Sequence, residues 1–392
     1  MSVSKHNVLL TGGTGFVGKA LLALLVDAPH YDHIYLLARG RRGQSADERV
    51  RGILANMFPA EKAAKLAERV HGVAGDLTEA RMGLNSEQLS DLATKVHQIV
   101  HIGASTDFGA PLAESRLHNV EGTRHALDVA VNLREQGVLQ RFDYVSTAYV
   151  AGKKPGIVGE NDLERGQEFS NSYEQSKFEA ECLVRSYHDR LSIAVYRPSI
   201  VVGDSQSGYT PHFKVLYWPL QLLAKNLIPF FPCNTRARLD VVPVDYVAQG
   251  ILALMQTPRS LGETFLLTAG LGHEVQIKQL LQDAYRMAGI QKRPILPFWL
   301  FALVRRSPLA KRFDDYFWQA VDMALPYYSY LKGNRVYFED QRSRALLQEL
   351  GVNQPRWPEY KQRVLGFCLE SRWGRKLPKP EHTYYAIKPQ WA

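Results

Sequence analysis

The segment Asn171 to Lys177, NSYEQSK, sets Tyr173 and Lys177 four residues apart, one helical turn, so both side chains can point at the same place. An ammonium beside a phenol favours the phenolate and lowers its pKa. Such a pair can give or take a proton at a carbonyl oxygen near neutral pH. The spacing alone is cheap, because Tyr149 with Lys153, Tyr328 with Lys332 and Tyr384 with Lys388 repeat it. Only Tyr173 opens a convincing helix, with Asn171 and Ser172 as candidate caps and an apolar face running through Phe178 and Cys182. A short interval upstream, Val145-Ser146-Thr147-Ala148 ends an apolar run. A hydroxyl there would face the crevice at the carboxyl edge of a parallel sheet. Thr147 is therefore the expected partner of Tyr173. The competing reading is a strand-end hydroxyl that bonds its own turn.

A reacting carbonyl needs a redox partner, and the first strand supplies a place for one. In Asn7 to Gly18, NVLLTGGTGFVG, an apolar strand runs into glycines at three-residue spacing. Gly12 permits a tight turn, Gly15 lets the backbone approach a pyrophosphate, and Gly18 lets the following helix pack on the strand. The helix expected from about Phe16 aims its N-terminus at the phosphates. Apolar runs at Val8–Leu10, Ile34–Ala38, Val70–Ala74, Ile99–Ile102, Phe142–Ser146 and Ile193–Tyr196 alternate with helical stretches, and Thr264–Thr268 can add a late strand. That alternation predicts an α/β fold, a Rossmann-like doubly wound parallel sheet with a smaller, mostly helical substrate-binding subdomain. The expected division is a dinucleotide-binding domain over 1–270, with a substrate-side insertion at about 204–240, and a C-terminal helical extension over 271–392.

Composition supports a folded enzyme. The 392 residues are 45% hydrophobic, without repeats or charge blocks, enough for a sizeable core. Cys182, Cys233 and Cys368 are odd in number, far apart and without metal-ligand spacing, which fits a reducing compartment, and no metal site is expected. The start, MSVSKHN, runs directly into the first strand, so a cytoplasmic protein is expected. The net charge of +9 is dispersed, and no nucleic-acid motif accompanies it. His97 and His101 share a strand and are expected to be satisfied, half-buried groups rather than metal ligands.

Beyond about Gly203 prolines and aromatics crowd Pro211–Pro232 and Pro294–Tyr330, which read as substrate-pocket elements. The decamer Ile295–Val304, ILPFWLFALV, lies between Lys292, Arg293, Arg305 and Arg306. It is half the length needed to cross a bilayer. A buried helix or acyl-pocket wall is the expected role, with peripheral contact at a membrane interface as the alternative.

The sequence resembles the extended short-chain dehydrogenase/reductase superfamily, and within it the fatty acyl-CoA reductase and thioester reductase branch with its male-sterility-type NAD-binding domain. The resemblance is carried by TGGTGFVG (Thr11–Gly18), YLLARGRRGQSADERV (Tyr35–Val50), GDL (Gly75–Leu77), HNVEGT (His118–Thr123) and VSTAYV (Val145–Val150). The Tyr173/Lys177 pair, YRPSIVVGDSQSG (Tyr196–Gly208) and VVPVDYVA (Val241–Ala248) complete it. It implies that Thr147 orients the reacting oxygen, Tyr173 protonates it, Lys177 tunes Tyr173 while bonding the nicotinamide ribose, and Asn119 braces the active-site helix. It further implies cofactor contacts from Gly12, Thr14, Gly15, Phe16, Val17, Gly18, Arg39, Asp76, Leu77, Gly103, Ala104, Tyr173, Lys177, Pro198, Ser199 and Ile200. Gly103 stands where the family more often has alanine.

Arg39 ends the second strand, where an acidic residue would bond a free ribose 2′-hydroxyl. A guanidinium suits a 2′-phosphate, so NADPH is the expected cofactor. The competing reading is a solvated arginine in the basic turn with Arg41 and Arg42. The expected reaction is NADPH-dependent reduction of an acyl thioester, carried by coenzyme A or an acyl carrier protein, to an aldehyde and onward to an alcohol if a second hydride follows. The alternatives are an extended-superfamily hydroxyl/ketone oxidoreductase acting on a lipid, sterol-like or β-keto acid substrate, and a non-enzymatic NADP-binding sensor. Monomer and homodimer are both compatible with the sequence.

Overall fold

In the computed structural model, the structure describes residues 5–40, 43–213, 216–225, 230–313, 315–324, 327–333 and 335–378. Seven parallel strands build the central sheet: β1 (His6–Thr11), β2 (Tyr31–Ala38), β3 (Val70–Ala74), β4 (Gln98–His101), β5 (Arg141–Val145), β6 (Ile193–Pro198) and β7 (Thr264–Leu267). Their order is β7-β6-β5-β4-β1-β2-β3. Leu9 at the centre pairs with Tyr35 on one side and Ile99 on the other. The winding reverses between β1 and β4, and in open α/β sheets a ligand crevice opens at such a switch point. Each of the seven apolar runs forms one of these strands. The continuous hydrophobicity that marked them is what a strand covered on both faces requires.

Helices α1 (Phe16–Leu25), α2 (Ala46–Met57) and α5 (Val244–Met255) cover one face, and α3 (Gly122–Gln136) and α4 (Ser172–Arg185) the other. All twelve residues of α5 are buried, because α1 packs on it from one side and Leu346 and Leu347 of the helix Gln341–Glu349 join the same cluster. Helix α2 begins with a reciprocal capping box between Ser45 and Glu48, the arrangement that satisfies two otherwise orphaned amides.

A third apolar cluster lies over the carboxyl edge of the sheet. Short strands stitch it together: Ile200–Val202 with Val241–Pro243, Arg238–Leu239 with Val275–Gln276, and Phe231–Pro232 with Ile295–Leu296. The stretch 204–240 is thus interleaved with the stretch after 271. The chain then returns, pairing Val336–Phe338 with Gly156–Val158.

The decamer Ile295–Val304 departs from its expected buried role. Its helix, Phe298–Arg306, buries only Phe301, while Trp299 and Leu303, four residues apart, are 65% and 57% exposed. It touches the cluster along one edge and forms no part of the cleft described below. Among the described residues no helix is long and apolar enough to cross a membrane.

The glycine turn depends on two close approaches. Gly12 has φ +70°, and a Cβ there would lie 2.6 Å from the Gly103 amide nitrogen; one on Gly18 would lie 2.2 Å from the Gly12 carbonyl oxygen. Gly18→Ala must push α1 off the turn and is expected to lower the unfolding free energy by about 1–3 kcal/mol. Urea denaturation of the cofactor-free chain reads this, and an unchanged midpoint would show that the approach carries no constraint.

Candidate active site

A cleft of about 720 Å³ runs across the carboxyl edge of the sheet, from Arg39 and Asp76 at one end, past the glycine turn, to Thr147, Tyr173, Lys177 and Tyr330 at the other. Every residue expected at the cofactor lines it: Gly12, Thr14, Gly15, Phe16, Val17, Gly18, Arg39, Asp76, Leu77, Gly103, Ala104, Tyr173, Lys177, Pro198, Ser199 and Ile200, together with Thr147. A Cβ on Gly103 would approach the Leu77 side chain to 2.4 Å and the Thr11 hydroxyl to 3.2 Å. That crowding accounts for glycine where alanine is commoner.

Helix α4 begins as its sequence suggested: the Asn171 side chain accepts from the Glu174 amide at 2.9 Å. This cap sets Tyr173 and Lys177 on the face toward β5. The Tyr173 phenol and the Thr147 hydroxyl lie on the same stretch of cleft wall, close enough for Thr147 to oppose the rise that burial gives the phenol's pKa. Thr147 also accepts from the Tyr149 amide at 3.3 Å, so both readings of this hydroxyl hold at once. It caps its own turn, and it meets the phenol in the cleft.

One expectation fails. Lys177 does not lower the Tyr173 pKa; burial pushes that phenol up to about 12, Thr147 opposing and the Glu174 charge adding. The ammonium of Lys177 is held elsewhere, by the Tyr144 hydroxyl at 2.7 Å and the Val145 carbonyl at 2.9 Å. Burial pulls Lys177 itself down to about 7, against the nearby charge of Glu181. Burial thus pushes both groups toward their neutral forms, because neither is solvated enough to carry charge cheaply.

Asn119 lies behind the cleft rather than on its wall. It is buried in the single π turn Leu117–Glu121, accepts from the Ser105 amide at 2.7 Å and donates to the Ser176 hydroxyl of α4 at 2.9 Å. It joins the loop after β4 to the helix that carries Tyr173. At the far end Arg39 lies 3.7 Å from Asp76 and is 62% exposed on its side chain. Arg49, on α2, donates to the Arg39 carbonyl at 2.7 Å and lines the same end. Burial works against the Asp76 carboxylate, but hydrogen bonds from the Thr78 amide and hydroxyl, with Arg39 beyond them, hold it below its usual range. Arg41, Arg42 and the Tyr384/Lys388 pair lie outside the described residues.

Several groups in the site carried no sequence signal of their own. Phe108 stacks on the Tyr173 ring, 5.2 Å between centroids and 24° between planes. Tyr149, which lies in VSTAYV and in a decoy Tyr-x-x-x-Lys pair without an expected role of its own, lines the cleft, as do His118, the first residue of HNVEGT, and Tyr327. Lys153, its decoy partner, pairs instead with Glu168 at 3.2 Å. His101 is fully buried rather than half-buried, bonded to Thr11 at 2.7 Å and Thr123 at 3.1 Å, and its pKa falls to about 3 through burial and the Lys177 charge. It is a neutral structural group. Among the described residues no cluster could hold a metal, and the three cysteines are free.

Residues 10–251 match the Male sterility protein family of NAD-binding domains. The chain belongs to that family. Among relatives, putative fatty acyl-CoA reductase CG8303 of Drosophila melanogaster is 27% identical over 288 residues, 63% of this chain and 51% of its own length. The non-canonical nonribosomal peptide synthetase FrzA of Cladobotryum sp is 30% identical over 319 residues, 78% of this chain and 30% of its own length. The chain thus spans about half of the first relative's length and less than a third of the second's. The terminal R domain of the myxalamid PKS-NRPS pathway superposes with a TM-score of 0.77 and 25% identity, covering 97% of this chain and 94% of that one. A nicotinamide dinucleotide is the family's ligand, and the cleft fits one. The turn brings α1 end-on to the cleft without a side chain in the way, and the buried Ser199 hydroxyl lies on its wall.

Stability should report the buried lysine. Because the folded-state pKa of Lys177 lies below its unfolded value, the unfolded chain binds more protons between about pH 7 and pH 10. Stability from this group therefore rises with pH across that window. Lys177→Met is expected to flatten the rise relative to the parent chain in chemical denaturation without cofactor. Parallel pH profiles would contradict the placement of the ammonium.

Proposed function

We propose that this chain reduces acyl thioesters with NADPH, releasing a thiol and an aldehyde. The observation that carries the proposal is the meeting of the Tyr173 phenol with the Thr147 hydroxyl on the wall of a dinucleotide cleft. When bound, the reduced nicotinamide supplies a hydride to the thioester carbonyl carbon. Thr147 donates a hydrogen bond to the carbonyl oxygen as its negative charge develops, and Tyr173, protonated because of its burial, delivers the proton to that oxygen. The product is a hemithioacetal. Its hydroxyl proton returns to the Tyr173 phenolate as the carbon–sulfur bond breaks, the electron pair leaves with sulfur, and solvent protonates the thiolate. One hydride and one proton are consumed per thiol released. A second round on the aldehyde carbonyl, with the same two groups, gives the alcohol.

The cofactor is NADPH on this reading because two guanidinium groups, Arg39 and Arg49, stand at the adenosine end of the cleft. A forked cation matches a 2′-phosphate better than a free hydroxyl. The thioester is carried by coenzyme A or by a carrier protein, both of which present phosphate or acidic groups suited to a chain of net charge +9. The names of the relatives point to both carriers. The exposed Trp299 and Leu303, next to Arg305 and Arg306, favour a peripheral membrane contact for the cytoplasmic form of the chain.

Tyr173→Phe is expected to cut turnover by about 10²–10⁴-fold, with NADPH affinity preserved, as read by thiol release from an acyl-CoA; full activity would remove Tyr173 as the donor. Thiol release also separates this reaction from ketone reduction, which frees none. Arg39→Leu is expected to weaken NADPH by about tenfold, the loss of one charge-assisted contact, and to leave NADH unchanged. A parent chain that prefers NADH overturns the assignment. Sedimentation with anionic vesicles is expected to carry down the parent chain and not Trp299→Ser/Leu303→Ser; a parent chain left in the supernatant overturns the membrane contact.

A further inference from the structure

The residue after the proposed proton donor is an anomaly. Glu174 is completely buried, close to Tyr173, and takes no part in the chemistry above. Both of its carboxylate oxygens are occupied. One accepts from the Ser170 amide at 2.8 Å, just before α4 begins, and the other accepts from the Tyr330 hydroxyl at 2.7 Å. Tyr330 lies 156 residues further along the chain, on the short substrate-side helix Tyr328–Lys332. Its hydroxyl also accepts from the side-chain Nδ2 of Asn171, the α4 cap, at 3.4 Å.

The ring of Tyr330 is a wall of the cleft. It meets Tyr149 edge-on at 5.1 Å and lies 5.9 Å from Phe108, whose ring stacks on Tyr173. These rings enclose the space beside the phenol where the acyl part of a substrate must pass.

We propose that Glu174 is a positioning residue whose bond to Tyr330 holds this aromatic wall in register with Tyr173 and thereby sets the fit of the acyl chain. The inference rests on Tyr173 as the proton donor and adds the reason why the substrate side and the catalytic helix act as one unit. A buried carboxylate left without partners is costly, so the burial of Glu174 is sustained by the bonds it makes. Burial raises its pKa, which the bonds from Ser170 and Tyr330 and the charge of Lys153 oppose. The Tyr330 hydroxyl is the one of these partners that comes from the substrate side.

The test uses the intact chain with NADPH and an acyl-CoA. Tyr330→Phe, which keeps the ring and loses the hydroxyl, is expected to raise KM for the thioester about tenfold, as for the loss of a hydrogen bond to a charged group. Its kcat should fall less than about threefold and NADPH affinity should hold. Glu174→Leu, which removes the acceptor that a glutamine would retain, should do the same, and the double variant should be no worse than this single, because both remove the bond between Glu174 and Tyr330. A purely structural role would instead lower kcat, NADPH affinity and the thermal midpoint together. An unchanged KM in Tyr330→Phe, a uniform loss of that kind, or multiplying effects in the double variant overturns the proposal. Tyr173→Phe, run in parallel, reads the underlying assignment separately: activity there sinks the donor role, whatever the Tyr330 variant does.

Discussion

The register of α4 against β5 and β6 decides whether this chain has an active site, and one buried carboxylate holds it. Glu181, fully buried two turns beyond Tyr173, receives the Ser146 hydroxyl at 2.6 Å and the Arg197 guanidinium at 2.5 to 3.1 Å. Ser146 is the neighbour of Thr147 at the end of β5, and Arg197 stands in β6. Burial opposes the Glu181 charge, but Arg197 and Ser146 outweigh it and lower its pKa. A pair buried this deeply contributes little net stability, yet removing one member strands the other, commonly at a cost of about 3–5 kcal/mol. Its service is geometric. By tying helix, strand end and neighbouring strand at one point, it sets Tyr173 opposite Thr147.

Desolvation then determines the chemistry. Burial holds the phenol protonated and disfavours charge on the lysine. Such a site suits a reaction in which negative charge appears on a carbonyl oxygen, since a hydrogen bond offered there works in a low dielectric and needs no reorganisation. The aromatic rings of Phe108, Tyr149 and Tyr330 line the same space. Glu174, beside Tyr173, accepts a hydrogen bond from Tyr330 of that wall.

The sheet was legible because its signals are local. Buried parallel strands read as apolar runs, and the glycine turn, the helix cap at Asn171 and the Tyr173/Lys177 pair each lie within a few residues. Thr147 was legible as a strand-end hydroxyl, although its second bond, to its own turn, was presented as a rival and proved compatible. What escaped came from long-range packing. Phe108 and Tyr330 look like ordinary core aromatics until they meet Tyr173 and Glu174. The pKa effect expected between Lys177 and Tyr173 assumed contact from helical spacing, whereas the ammonium reaches across to Tyr144 and Val145 on β5. The helix at Phe298–Arg306 was misjudged for a related reason. Apolar composition cannot tell which side of a nine-residue helix is covered; Phe301 is buried and Phe298 packs at its edge, while Trp299 and Leu303 face outward.

The most direct measurement follows the hydride. The chain is incubated with NADPH carrying deuterium at the transferable C4 position and an acyl-CoA, and both products are analysed by mass spectrometry and thiol titration. The account predicts free coenzyme A and deuterium on C1 of the aldehyde, or two deuterons on C1 of the alcohol. Deuterium on a carbinol carbon in a product that still contains its thioester, or none transferred at all, would contradict it.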